Sequence, residues 1–399
     1  MQVNTGRGTI PLITLIGIWS ISALTSLPGL AVSPILGQLS AIFPKATELD
    51  IQMLASLPSL LIIPFVLLAG KLAEKRDFIR LLRAGLWMFA ASGVLWQLMA
   101  VSALLGIGSG LIIPLSTGLI SRYFTGTYRV KQFGYSSAIT NVTLVVATAA
   151  TGYLAEVNWH LPFVVYLLPL ISLLLSAYLK NDDSRPVETT VQAAAVPVEQ
   201  SPAISGKYGI HLPHLLHLML FYGLVTYVVL AVTFNLPFLM EAHHFSSGNS
   251  GLMISLFFLA VMAPGFALDR IVKVLGEKTK FYSLLSIALG LLLIWIAPVE
   301  WLIIPGCLSV GLGYGVIQPL VYDKTADTAM PEKTTLALAF VMVMNYLAIL
   351  LSPFITDSFQ HLFHSHSKEF PFIFNLCVTL LAMYWAYARR KSFLFDDRL

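Results

Sequence analysis

Tyr314 and Gln318 stand four residues apart in an apolar run that carries no charge between Trp301 and Tyr322. Residues at that spacing share one face of a helix, so a phenol and a carboxamide would point together at whatever that face meets. Other uncharged polar and aromatic side chains interrupt apolar runs in the same way: Trp19, Ser22 and Thr25; Asn141; Thr226 and Tyr227; Asn345 and Tyr346. For any one of them the competing use is a hydrogen bond between helices, worth on average about 0.6 kcal/mol in a membrane. As a group they describe a surface for a neutral or amphipathic solute. A charge at the centre of a run would be a functional group by default, since it costs about 2.5–3.5 kcal/mol on insertion scales. Glu48, Asp50, Glu156, Glu241, Asp323 and Asp357 stand instead at the ends of runs. A central counter-ion for a cationic solute is therefore missing, although Asp323 and Asp357 remain able to face a water-filled cavity. His243 and His244, and the H-x-x-H-x-H of His361, His364 and His366, lack a carboxylate or cysteine that would complete a metal set. They read as solvated loops, and neither a metal nor another cofactor is expected. Cys307 and Cys377 lie inside apolar runs, which leaves no disulfide framework.

The elements that must position these residues follow from composition. With 57% hydrophobic and only 11% charged residues and a mean hydropathy of +0.80, the chain lies far from soluble proteins and reads as an all-α polytopic membrane protein. No short apolar segment with a small-residue cleavage site opens the sequence, so the first run is expected to be a mature span. Windows of roughly 20 apolar residues, enough to cross about 30 Å of hydrocarbon, fall at 10–38, 48–71, 78–95, 97–121, 133–153 and 161–180. A second set falls at 212–240, 249–268, 280–297, 301–323, 334–357 and 371–390. Twelve transmembrane helices are thus expected, six (residues 1–180) on one side of a Pro-, Ala-, Ser- and Glu-containing linker (181–209) and six (210–399) on the other.

The two sets repeat one another. Gly106-Ile107-Gly108-Ser109-Gly110-Leu111-Ile112-Ile113-Pro114 returns 205 residues later as Gly311-Leu312-Gly313-Tyr314-Gly315-Val316-Ile317-Gln318-Pro319. From 85 to 115 the copies are identical at ten of 31 positions (85, 86, 94, 96, 106, 108, 110, 112, 114 and 115), which marks an internal duplication into two pseudo-symmetric halves. Neither copy follows a strand in G-x-G-x-x-G spacing, so the glycines serve close helix packing in lipid, not a dinucleotide phosphate. Within the matched motif Tyr314 and Gln318 replace Ser109 and Ile113.

Charge orients the map. The formal charge of +4 and pI near 8.9 belong to topology and not to nucleic acid. With a cytoplasmic N-terminus, 22 of the 24 basic residues fall on the inside and only Lys45 and Lys368 outside. The positive-inside rule therefore predicts both termini and the linker in the cytoplasm.

A second echo links the turns after spans two and eight. Gly70-Lys71-Leu72-Ala73-Glu74-Lys75 and Gly265-Phe266-Ala267-Leu268-Asp269-Arg270 both read G-x-x-x-acid-base. With twelve spans, two duplicated halves and a long linker, the whole chain resembles the major facilitator superfamily, whose signature is G-x-x-x-D-[RK]-x-G-[RK]-[RK]. The resemblance implies a cytoplasmic gate of Gly70, Glu74, Gly265, Asp269 and Arg270. There glycine lets helices approach, and the acid meets a helix N-terminus across the halves, where a carboxylate is favoured. The first copy departs from the signature, with Asp77 in the place of glycine and Phe78 and Ile79 in the places of basic residues. Two marks of proton-coupled exporters in the family are also absent. Ser102 stands where they carry arginine, and Ala147-Thr148-Ala149-Ala150-Thr151-Gly152 stands where they carry Gly-Pro.

The resemblance implies a secondary active transporter of a small organic solute, working by alternating access about a mid-membrane site. It places Trp19, Thr25, Asn141, Thr226, Tyr227, Tyr314, Gln318, Asn345 and Tyr346 at that site. Proton-coupled efflux, a monomer in the lipid bilayer of a bacterial inner membrane, and protons as coupling ion are expectations of the same kind. No G-x-x-x-x-G-K-[ST] loop is present for direct use of ATP. A metabolite importer of the same fold, a membrane-embedded enzyme and a non-transporting solute sensor are the alternatives. The topology has a direct test: Ala194→Cys should escape an impermeant thiol reagent in intact cells and react once the membrane is opened.

Overall fold

The computed structural model describes residues 2–5, 8–24, 27, 30–73, 108–110, 112, 116, 120, 123–124, 126–176, 211–297, 300–328, 334–365 and 367–388. A short antiparallel hairpin of β1 (Gln2–Asn4) and β2 (Thr9–Pro11), with Val3 opposite Ile10, precedes the first helix. Every described residue after it is helical or connects helices. The first apolar window, expected as one span over 10–38, is divided. Helix α1 (Leu12–Leu24), a 3₁₀ turn at Leu30–Ile35 that contains Pro34, and α2 (Leu36–Ile42) make up this window, and Pro28 stands between the first two in the sequence. Proline lacks the amide donor and its ring clashes with the preceding turn, which accounts for the division.

Among the described residues the next windows become α3 (Glu48–Ala73), α4 (Gly126–Val157), which begins seven residues before its expected start, and, after a 3₁₀ turn at Leu161–Leu167, the short α5 (Leu168–Leu175). The C-terminal part contributes α6 (Leu212–Ala242), α7 (Ser247–Met262), the short α8 (Leu268–Leu275), α9 (Thr279–Trp295), α10 (Glu300–Asp327), α11 (Thr334–Leu362) and α12 (Phe370–Ala388). Among the described residues seven helices are long and apolar enough to cross a membrane. The expected spans three and four, and the linker, lie largely outside the described residues.

Long apolar helices form because hydrocarbon offers no partner for a backbone amide, so each segment must satisfy its own. Their packing then depends on how closely backbones approach. On α10 the alternating glycines serve two neighbours. Gly311 and Gly315 lie against α7, where a Cβ at Gly311 would fall 2.5 Å from the Phe257 carbonyl and one at Gly315 would overlap the Val261 carbonyl. Gly313 lies against Ser283 of α9, and Gly290 of α9 meets Gly306 of α10, a Cβ there falling 2.6 Å from its carbonyl oxygen. Close packing is thus what the second copy of the repeated motif provides. In the first copy Gly108 and Gly110 are buried helical positions, while Gly106 lies outside the described residues.

Three apolar clusters result. One joins α6, α7, α9, α10, α11 and α12 around Tyr222, Val232, Ile287 and Val310, and another joins Ile18 and Ile21 of α1 and Ala147 of α4 with Ile112, Ile120 and Phe124. The third is built jointly: Ile35, Leu39, Ile51 and Ala155 from the N-terminal elements meet Leu230, Phe234, Phe238 and Ile349 from the C-terminal ones. Gly315→Ala, which drives a methyl group into the Val261 carbonyl, should cost about 1–3 kcal/mol of stability. Leu312→Ala on the exposed side should change little. Melting of both variants in detergent checks the contrast.

Candidate functional site

At mid-length of α6 and α10 the chain gathers a hydrogen-bonded cluster with no formal charge. Tyr222 of α6 is fully buried at its centre. Tyr314, Gln318 and Tyr322 follow one another at four-residue spacing on the facing side of α10, each half-buried. The Tyr314 hydroxyl donates to that of Tyr222 at 3.3 Å, Gln318 Nε2 donates to the same oxygen at 3.3 Å, and the Tyr222 and Tyr322 hydroxyls share a bond of 3.0 Å. Thr226, one turn along α6, bonds the Tyr314 hydroxyl at 3.2 Å. The Tyr222 and Tyr314 rings are parallel within 7° at 6.4 Å, and Tyr322 meets Tyr222 edge-on at 5.6 Å. The expected shared face of Tyr314 and Gln318 is therefore present, and both residues converge on Tyr222.

The remaining sequence candidates are distributed around this cluster. Tyr346 of α11 is half-buried, lies near Tyr322 and packs on the joint apolar cluster. Asn345 is half-buried beside it in sequence. Tyr227 lies on another face of α6, buried, with its hydroxyl near Thr356 and Asn375. In the N-terminal helices Trp19 Nε1 donates to Gln132 Oε1 at 2.9 Å, and its ring meets Tyr135 edge-on at 6.0 Å. Ser22 and Ser116 share a bond of 2.9 Å, and Thr140 donates to the Ser22 carbonyl. Asn141 follows on α4, half-buried. Thr25 lies outside the described residues.

Tyr222, Tyr322 and Gln132 were not singled out from sequence. Tyr322 continues the Tyr314, Gln318 series by one more turn, and Tyr222 precedes Thr226 by four residues, so helical spacing carried the signal for both.

One end of the helix assembly is closed between its N-terminal and C-terminal elements. Gln52 of α3 donates to Asn235 Oδ1 of α6 at 3.1 Å, buried. Gly37 of α2 lies directly under the Pro237 carbonyl of α6. Between α4 and α7, Ser255 donates to the Val145 carbonyl at 2.8 Å, Ser247 to the Gly152 carbonyl at 3.1 Å, and the Gly248 amide to Glu156 Oε1 at 3.0 Å. Lys368, before α12, pairs with Glu48 at the start of α3, and His243 lies 3.8 Å from Glu369. A hydrogen bond from Ser367, helped by His243, holds the Glu369 carboxyl below the usual carboxylate range, while burial lowers the Lys368 ammonium. The cavity left at this end, lined by Gly37, Phe238, Glu241 and Lys368, measures about 200 Å³. That is below the roughly 300–1,000 Å³ of small-molecule sites.

At the opposite end, Gly265 has open space where a Cβ would stand, Arg270 is exposed, and Phe266 is 78% exposed. Among the described residues, nothing lies within 4 Å of the position a Cβ would take at Gly265. Gly70 lies in the last turn of α3, Asp269 in the first turn of α8, and Glu74 outside the described residues. His243 and His361 make separate pairs, with Glu369 and Asp357, and among the described residues no three His, Cys, Asp or Glu side chains gather for a metal ion.

The chain is similar to known proteins. The quinolone resistance protein NorA of Staphylococcus aureus is 25% identical over 286 residues, covering 69% of this chain and 71% of its own. The class H tetracycline resistance protein of Pasteurella multocida is 23% identical over 280 residues, covering 67% of this chain and 68% of its own. The crystal structure of the nucleoside transporter NupG superposes with a TM-score of 0.71 at 13% identity, over 94% of this chain and 99% of that one. The profile of the Major Facilitator Superfamily matches residues 12–353, and with the helical architecture and closed end described above it places the chain in that superfamily.

Proposed function

We propose that this transporter of the superfamily exports a small neutral or amphipathic organic solute in exchange for protons, with Tyr314 and Gln318 among the groups that hold it. The observation that carries the substrate class is the uncharged cluster of Tyr222, Thr226, Tyr314, Gln318 and Tyr322. Half-buried phenol and carboxamide groups at mid-helix offer hydrogen bonds and ring faces but no counter-ion, which suits a solute without a fixed charge. Export is the direction in keeping with two relatives named for quinolone and tetracycline resistance. Proton exchange is what membership of the superfamily implies for such exporters.

The same reading takes residues 1–180 and 210–399 as the two six-helix halves, joined by a cytoplasmic linker at 181–209. Basic residues then place the closed end outside and the Asp269 end in the cytoplasm, so the conformation faces inward. The carrier is a monomer in a bacterial plasma membrane.

Flux of fluorescent neutral and cationic probes in sealed vesicles, with and without an imposed pH gradient, tests the function. Export of neutral probes driven by that gradient is expected. Gln318→Ile restores the residue of the first copy and removes one hydrogen bond to a neutral ligand, worth about 0.5–1.5 kcal/mol. It should raise the apparent KM roughly 2- to 10-fold, while the melting temperature moves little, since helix–helix hydrogen bonds in membranes average about 0.6 kcal/mol. Normal KM with a lower melting temperature would assign Gln318 to packing alone. Asp269→Asn should lower flux without loss of folded protein, because a carboxylate at a helix N-terminus contributes about 0.3–1 kcal/mol. Thiol accessibility of the Asp269 end reads the change.

A further inference from the structure

Glu156 ends α4, on the last turn of a helix whose own dipole disfavours an anion there. Its carboxylate is not left to that field. Oε1 accepts the Gly248 amide at 3.0 Å, in the first turn of α7, so the anion of one helix occupies the positive end of another. The N-cap of α7 leaves this amide available, because Ser246 Oγ takes the amide of Asn249 instead, at 3.2 Å. A Cβ at Gly248 would collide with Glu156 Oε1 and fall 2.6 Å from the Tyr153 ring, so a side chain there would have to displace the carboxylate or the ring.

One turn below, the two backbones touch. A Cβ at Gly152 would fall 2.5 Å from the Ser247 carbonyl oxygen and 2.8 Å from Gly251 Cα, and one at Gly251 would fall 2.5 Å from the Thr148 carbonyl oxygen. The Ser247 and Ser255 hydroxyls tie the same pair of helices to Gly152 and Val145. Every one of these contacts joins an element before residue 177 to one after residue 210. An alternating-access transporter must separate its two groups of helices at each end in turn, so contacts of this kind exist in one of its two states and are broken in the other.

We infer that Glu156, seated on the N-terminus of α7 through Gly248, is the latch that sets how long this end of the transporter stays closed, with Gly152 and Gly251 as the surfaces that let it shut. The inference rests on the transporter reading but not on the substrate, the direction or the topology. It adds to the gate implied at Asp269 a second one of the same physical kind at the other end: a carboxylate placed against a helix N-terminus that only one conformation brings within reach.

The test uses the full chain in nanodiscs, where both faces are open to reagent, in a C307A/C377A background. Leu39→Cys reports on the closed end, since Leu39 is buried at the joint cluster. Gly265→Cys reports on the other end, where space is open. Glu156→Ala should speed maleimide labelling of Leu39→Cys about threefold or more and slow that of Gly265→Cys, because closing one end opens the other. Glu156→Gln keeps an acceptor oxygen and should shift both rates less. Gly152→Ala, which wedges the backbones apart, should act in the same direction as Glu156→Ala, and its folded yield is compared separately. Labelling of both reporters at the parental rates in Glu156→Ala would overturn the latch. So would faster labelling of Leu39→Cys with no change at Gly265→Cys, which is local loosening without a shift between states. Absence of any transported probe would speak against the proposed substrate class and leave these rates unaffected.

Discussion

Backbone-to-backbone contact between helices is the constraint on which this structure depends. In lipid the apolar side chains gain nothing by leaving one hydrocarbon surface for another, so helices hold together through dispersion contacts that grow as they approach. Gly311, Gly313 and Gly315 let α10 touch α7 on one side and α9 on the other. That double seating fixes the rotation of α10 about its axis, and the rotation in turn decides where Tyr314, Gln318 and Tyr322 point. The duplicated glycine motif and the polar cluster are therefore one device. The glycines place the helix, and Tyr314, Gln318 and Tyr322 are turned toward α6.

Two kinds of interface follow. Within the C-terminal helices the seams of α10 with α7 and α9 are glycine-lined, and its seam with α6 carries the polar cluster. Between N-terminal and C-terminal helices the closed end combines a joint apolar patch with several polar contacts: Gln52 with Asn235, Ser247 and Ser255 with backbone carbonyls, Glu156 with Gly248, and Lys368 with Glu48. Exposed ion pairs and hydrogen bonds between neutral groups each contribute little, of order 1 kcal/mol, while a bond to a charged group such as Glu156 is worth about 1.5–3 kcal/mol. A seam assembled from many small terms can part without a large barrier from any one of them, which suits an interface that must open and close in each cycle.

Much of this was legible in the order of residues. Hydropathy located α6 within two residues, and the repeat located the glycine stripe, because both are properties of a single segment and its period. Tyr314 and Gln318 stood out as departures from that repeat. What escaped notice depends on which helix lies opposite. Tyr222 reads as one more aromatic residue of an apolar run until α10 is placed against it. Gln52 and Asn235 are 183 residues apart, and Glu156 reads as an interfacial charge until the N-terminus of α7 meets it. The break in the first window escaped for a different reason. Proline is tolerated in membrane helices when neighbours supply the lost bonds, so Pro28 and Pro34 alone did not decide between a kinked span and a divided one.

The uncharged middle of the C-terminal helices has an electrical consequence. From Leu218 to Met240 on α6, and from Leu302 to Tyr322 on α10, the chain carries no Asp, Glu, Lys or Arg. A membrane potential performs work of about 2.3 kcal/mol per elementary charge per 100 mV on any charge that crosses it. When these two stretches tilt, no side-chain charge of theirs is carried through that field. Voltage therefore has no direct grip on the side chains of these two stretches.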